Sequence, residues 1–241
     1  MTYIEGFVCA VPTARKDAYI DHATGFAPII RQFGASRMVE SWGDDIPEGK
    51  VTDFRKAVQA REDETVVFSW FEYPDRAARD AANQKMMSDP RMEEMTSEMP
   101  FDGKRMIMGG FDAIVDEHAS GPAGYTDGFL VPVPQDKRDA YRAMAQTMAD
   151  KFKQWGAVRV IEAWGDDVPD GKVTDYKRAV QAQDGEGIVF SYVQWPDRET
   201  RDAGWDKMMN DPELQPQGEM PFDGKRMFWG GFRPILDTAA E

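Results

Sequence analysis

Apolar positions along the chain fall into short alternating runs and helical stripes, and the same succession occurs twice. YIEGFVCAV near the amino terminus, and DGFLVPV further on, read as strands ended by Pro12 and Pro134. A candidate cap, Thr13 or Asp136, follows each, so a helix is expected next. In the second stretch Tyr141, Met144, Met148, Phe152 and Trp155 recur at spacings of three and four, which places them on one helical face and in the core. Gly34 and Gly156 suit the left-handed position that ends such a helix. SRMVESW alternates as a strand, and DDIPEGK supplies the turn that closes it. A hairpin is expected after it, pairing TDFRKAVQA with TVVFSWFEY across the polar REDE. Pro74-Asp75 and Pro196-Asp197 then cap a second helix that stops before Asp89-Pro90 or Asp211-Pro212. FDGKRMIMGGF and FDGKRMFWGGF close each copy with an Asp-Gly turn and an apolar strand, whose paired glycines imply a bulge or close backbone contact.

The recurrence is an internal duplication. With Gly6 laid on Gly128, RMVESWGDDIPEGKVTDFRKAVQA from Arg37 falls on RVIEAWGDDVPDGKVTDYKRAVQA from Arg159. MPFDGKRM at Met99 then matches MPFDGKRM at Met220, once one residue is dropped from the second copy. That deletion, where Met95, Thr96 and Ser97 face Gln215, Pro216 and Gln217, implies a surface loop. The domains are read as 1–115 and 125–241, joined by a short Gly- and Pro-containing linker at 116–124.

Each copy therefore reads β-α-β-β-β-α-β, a ferredoxin-like split βαβ arrangement with an extra or broken strand in the middle. Helices on one side of such a sheet leave its other face bare. The fold class expected is α+β: two ferredoxin-like repeats covering each other's sheets as an intramolecular dimeric α+β barrel, a pseudo-dimer within one chain.

Composition narrows the partners. The 241 residues carry a formal charge of −14, with Lys and Arg scattered among acids, so neither nucleic acid nor an anionic membrane surface is an expected partner. No apolar run approaches the length of a membrane helix, and MTYIEGFVCAVP lacks the features of a secretory signal. The only cysteine, Cys9, excludes an intrachain disulfide and reads as a small buried hydrophobe. A cytoplasmic location is expected.

WGDD-x-P-x-GKVTD, AVQA, VFSW, DAANQKMM and MPFDGKRM-x-x-GGF resemble the bacterial YbaA-like family, a domain of unknown function in the dimeric α+β barrel superfamily. The resemblance covers both copies, and it implies the fold and the pairing of two such domains. It carries over no catalytic residue.

Candidate chemistry rests on polar and aromatic groups that recur in both copies. These are Arg37 and Arg159, Glu40 and Glu162, Asp53 and Asp175, and Arg105 and Arg226, with Lys104 and Lys225 beside the last pair. An Arg three positions from a Glu is equally explained by ion pairs that fix the sheet. Trp42 and Trp164 could wall a planar ligand or simply pack. The doublets Asp44-Asp45 and Asp166-Asp167 read as turn residues, without the ligand spacing of a calcium loop. His22 has Met144 as its counterpart and His118 falls in the linker, so no metal or haem site is expected. No phosphate loop or nucleophile elbow is present, and no cofactor is expected.

The leading expectation is a protein that binds, and could act on, a small organic molecule in a cleft between sheet and helices, without metal or nucleotide. The alternative is a non-enzymatic protein-interaction module with a filled barrel. An interior space with Arg37 or Glu40 facing it separates the two. Divergent pairs such as His22/Met144 and Ser41/Ala163 allow one copy to keep a cleft while the other becomes scaffold.

Overall fold

The structure, a computed structural model, describes residues 2–214 and 220–239. The first copy comprises β1 (Tyr3–Pro12), α1 (Lys16–Phe33), β2 (Arg37–Asp45), α2 (Phe54–Ala57), β3 (Glu64–Tyr73), α3 (Arg76–Ser88), α4 (Arg91–Ser97) and β4 (Ile107–His118). The second comprises β5 (Tyr125–Pro134), α5 (Arg138–Gln154), β6 (Arg159–Asp167), α6 (Tyr176–Ala179), β7 (Glu186–Trp195), α7 (Arg198–Asn210) and β8 (Phe228–Asp237). Gly34 and Gly156 follow α1 and α5 with φ of 123° and 111°, as their positions predicted.

All eight strands close one barrel in the order β1-β3-β2-β8-β5-β7-β6-β4, and every pairing is antiparallel. Each repeat contributes a ferredoxin-like sheet of four strands, and β2–β8 and β4–β6 are the seams between repeats. Neither sheet is left with a bare edge among these strands. Each seam has two register slips, and one of them falls at Gly110 or Gly231, the second member of each glycine pair.

Side-chain alternation divides the interior into three cores. Ile4, Val8, Val66, Phe68 and Trp70 point into the barrel, where they meet Leu130, Ile188, Phe190 and Tyr192 from the other repeat. Phe68 stacks on Phe190 with centroids 4.5 Å apart, and Trp70 stacks on Tyr192 at 4.1 Å. The space for the first stack comes from glycine: a Cβ on Gly6 would lie 2.7 Å from the Phe190 ring, and one on Gly128 would lie 2.9 Å from Phe68. The barrel itself is thus filled. The alternate residues of the same strands face outward and pack beneath α1 and α3 in one repeat and α5 and α7 in the other.

Two local expectations are corrected. TDFRKAVQA is not a strand, so among the described residues each repeat has four strands and no central hairpin. Asp53 accepts hydrogen bonds from the backbone N–H of Lys56 at 2.8 Å and of Gly49 at 3.1 Å, which caps a single helical turn, and Gln59 then takes a φ of 50°. Phe54, Ala57 and Val58 stand three and four apart, a helical spacing, and enter the barrel core together. Asp175, Arg178 and Gln181 repeat the device in the second copy. Thr13 and Asp136 are not caps: a 3-10 turn behind Pro12 or Pro134 starts the helix, and the Thr13 hydroxyl pairs with that of Thr65 at 2.8 Å. Of the expected loop at the deletion, Met95, Thr96 and Ser97 belong to α4, whereas Gln215, Pro216 and Gln217 lie outside the described residues. Among the described residues no helix is long and apolar enough to cross a membrane.

Candidate functional site

Because β1, β2 and β3 turn alternate residues outward, Glu5, Phe7, Cys9, Met38, Glu40, Ser69 and Phe71 form a floor beneath the helices of the first repeat. Helix α1 covers it with Tyr19, His22, Ala23 and Phe26, while α3 brings Asn83 and Met86. Met92, Met95 and Thr96 of α4, with Met99, Phe101, Met106 and Met108, complete the wall. The cleft so enclosed has a volume of about 250 Å³. Seven methionines line it, giving an adaptable, polarisable surface.

Two carboxyl groups interrupt the apolar floor. Glu40 is 5% exposed; its Oε2 accepts a hydrogen bond from the Tyr19 hydroxyl at 2.6 Å and a second from Ser69 Oγ. Burial pushes the Glu40 carboxyl up to about 7, against the pull of these two donors. Glu5 is 1% exposed, and Asn83 Nδ2 donates to its Oε1 at 3.0 Å, with Arg79 Nη1 3.8 Å away. Its Oε2 is sealed from solvent, and burial, followed by the charge of Glu5 and a hydrogen bond to it, raises the neighbouring Tyr73 hydroxyl. Burial raises Glu5 as well, opposed by Asn83 and Arg79. His22, half-buried at the rim against Phe101, is lowered by burial. Burial also raises the Cys9 thiol, with Glu40 adding to the effect, which keeps it protonated and packed.

The second repeat carries the same frame with a different filling. Tyr141 Oη donates to Glu162 Oε2 at 2.8 Å, Ser191 also bonds this carboxyl, and burial raises it to about 7. Trp205, however, stands where the first repeat has Asn83, and Trp229 where it has Met108. The two indoles stack at 5.0 Å, and Trp205 also stacks on Phe129 at 6.2 Å, over the floor of the counterpart cleft. Trp205 Nε1 donates to Asp127 Oδ2 at 2.8 Å; Trp195 Nε1 reaches the same oxygen at 2.9 Å, and Arg201 Nε donates to Oδ1 at 2.9 Å.

Of the residues singled out from sequence, Glu40 faces the open cleft and Glu162 its filled counterpart. Arg37 donates to Asp237 at 2.9 and 2.6 Å across the β2–β8 seam, and Arg159 donates to Glu72 at 2.7 and 2.9 Å. Asp53 and Asp175 cap α2 and α6. Arg105 makes a bidentate pair with Glu64 at 2.7 and 2.6 Å and donates to the Gln59 carbonyl; Arg226 repeats this with Glu186 and Gln181. The Lys104 and Lys225 amides bond the carboxylates of Asp102 and Asp223 in the adjoining turns. Trp42 is buried beside Tyr19 under Lys16, and Trp164 lies under Arg138 with its ring on Gly187. The Asp doublets end strands and clamp the repeats together: Arg79 holds Asp167 at 2.6 Å and Arg76 holds Asp166 at 2.9 Å, mirrored by Arg201 on Asp45 and Arg198 on Asp44.

Sequence reading missed Glu5, Tyr19, Ser69 and Asn83. Tyr19 and Ser69 had a signal, since Tyr141 and Ser191 repeat them, and the exchange of Asn83 for Trp205 is plain in the aligned copies. What it could not show is that all four line one cleft. Among the described residues no group of three or more His, Cys, Asp or Glu side chains is gathered to hold a metal ion.

Comparison with known proteins finds a family described as "Protein of unknown function (DUF1428)" matching residues 2–103 and 124–224. "Uncharacterized protein YbaA" of Escherichia coli (strain K12) is 63% identical over 117 residues, which is 48% of this chain and 100% of that protein. Among solved structures, a putative monooxygenase from Fusobacterium nucleatum superposes with a TM-score of 0.53 at 8% identity, covering 98% of this chain and 93% of the other. An anthrone oxidase-like protein gives 0.53 at 11% identity, with 98% and 92% covered. At such identities the likeness is one of fold.

Proposed function

The chain belongs to the DUF1428 family of unknown function, and we propose that it binds a small, largely apolar organic molecule in the cleft of its first repeat. One observation carries this reading: a 250 Å³ space, walled by Met and Phe, opens onto a buried carboxyl held by Tyr19 and Ser69. An apolar cavity of roughly 150 Å³ is already enough for a benzene ring, so a one- or two-ring compound fits. Glu40, titrating near neutrality, can take or give a proton to a group seated against it, and Tyr19 and Ser69 steady either form through hydroxyls that donate or accept. Two proteins of similar fold, a putative monooxygenase and an anthrone oxidase-like protein, are in keeping with a small organic ligand.

The test is calorimetric titration of the intact chain with one- and two-ring aromatic compounds, benzofuran and indole among them. One molecule bound per chain is expected. Failure of every compound to bind would leave the second reading, an interaction module, which draws on the filled barrel and the charge of −14.

A further inference from the structure

Polar groups are few in the first-repeat cleft, and most are committed to one another. Tyr19 and Ser69 both give their hydroxyl hydrogens to Oε2 of Glu40, Asn83 turns to Glu5, and Thr96 turns back to the Met92 carbonyl at 2.6 Å. Oε1 of Glu40 is different: it has no donor among the described residues, yet it is not sealed in the interior, so it is the oxygen that this carboxyl presents to the cleft. A neutral carboxyl group has one hydroxyl oxygen and one carbonyl oxygen. With two donors already aimed at Oε2, the proton belongs on Oε1, where it points at whatever occupies the cleft. Among the described residues no Lys or Arg lines the space, so the ionised form has no cation beside it, and burial favours the neutral acid.

Resting on the binding reading above, we propose that the first-repeat cleft takes a neutral, largely apolar ketone or aldehyde, its carbonyl oxygen accepting the Oε1 hydrogen of Glu40 while its apolar body lies among the methionines. The carbonyl supplies the acceptor that no protein group gives this hydrogen, and a carboxylate ligand is disfavoured for want of a cation. The other titratable groups that face Glu40 are Cys9 and Glu5 from β1 and Tyr19 and His22 from α1; among the described residues β3, α3 and α4 bring none to the lining. Burial keeps Cys9 and Tyr19 protonated through the neutral range.

Calorimetry on the full chain compares acetophenone with α-methylstyrene, a molecule of the same shape that has a methylene group in place of the carbonyl oxygen. Both exclude water from Glu40 alike, so the ratio of their affinities isolates the carbonyl. Because the neutral acid is lost as pH rises through about 7, that ratio is expected to fall about tenfold between about pH 6 and about pH 8.5. Glu40→Gln keeps a carbonyl oxygen for the two hydroxyls and turns an N–H to the cleft at every pH, so in this variant the ratio is expected to stay level. Should the variant not fold, the parent's ratio alone decides. A parent ratio that is level or rises with pH would overturn the carbonyl assignment while leaving the cleft as a binding site. A ratio that still falls in Glu40→Gln would move the effect to Glu5 or His22 and overturn the assignment, and binding of neither compound would overturn both readings.

Discussion

Glu40 shows what a single buried carboxyl does to a fold. In the unfolded chain it ionises near 4.5, but in the cleft burial holds it up to about 7. The stability contributed by its protonated form is therefore whole below the lower value and is lost as pH rises through the higher one. Comparison of the parent protein with Glu40→Gln by urea unfolding isolates this, because Glu162, shifted the same way, is present in both and cancels. The variant is expected to gain on the parent by on the order of 3 kcal/mol between about pH 4 and about pH 8; a difference that stays flat with pH contradicts the shift. Gly6 makes the opposite point about space. A methyl group there would press on Phe190, so Gly6→Ala is expected to cost about 2 kcal/mol and lower the melting temperature, whereas an unchanged melting curve would mean the Phe68–Phe190 stack is looser than it stands. Glu40 was visible in the sequence as a recurring acid. Glu5 was not, since one acid in an apolar run gives no sign of which face it takes or which donors await it.

At the level of elements, the outer strands, the two long helices and their glycine ends were legible because alternation and three-four spacing follow from the geometry of strand and helix. The segment after Asp53 was misread because FRKAV also alternates, and the cap decides between the two readings only when the Asp53 side chain is seen turned onto the amides of Gly49 and Lys56. That makes the cap testable. Asp53→Ala is expected to cost about 1 to 2 kcal/mol in urea unfolding, and Asp175→Ala the same; a cost below about 0.5 kcal/mol would show that α2 is held by Phe54 and Val58 packing alone. The arginines chosen from sequence as binding groups sit in element-to-element contacts, with Arg105 and Arg226 tying the loops after α2 and α6 to β3 and β7. Recurrence in two copies signals a shared constraint, and a shared fold imposes such constraints as readily as a shared ligand does.

For the whole molecule, the duplication was legible and the pairing followed from it, since a sheet with helices on one face must bury the other. A cleft between sheet and helices was anticipated; what sequence could not tell is that it would coexist with a solid barrel and that it would lie in the first repeat. The first repeat alone would expose Phe68 and Trp70 and the edges of β2 and β4. Expressed by itself it is expected to sediment as a dimer or aggregate, and a stable monomer would contradict the closure described above. The central claim is that, among the described residues, the first repeat keeps open a cleft whose floor the second repeat covers with its own tryptophans. A crystal of the intact chain soaked with indole tests it most directly. Density is expected in the first-repeat cleft, over Phe7 and Met108 and beneath α1, with Trp205 and Trp229 undisturbed; density in the second repeat, within the barrel, or at neither cleft would contradict it.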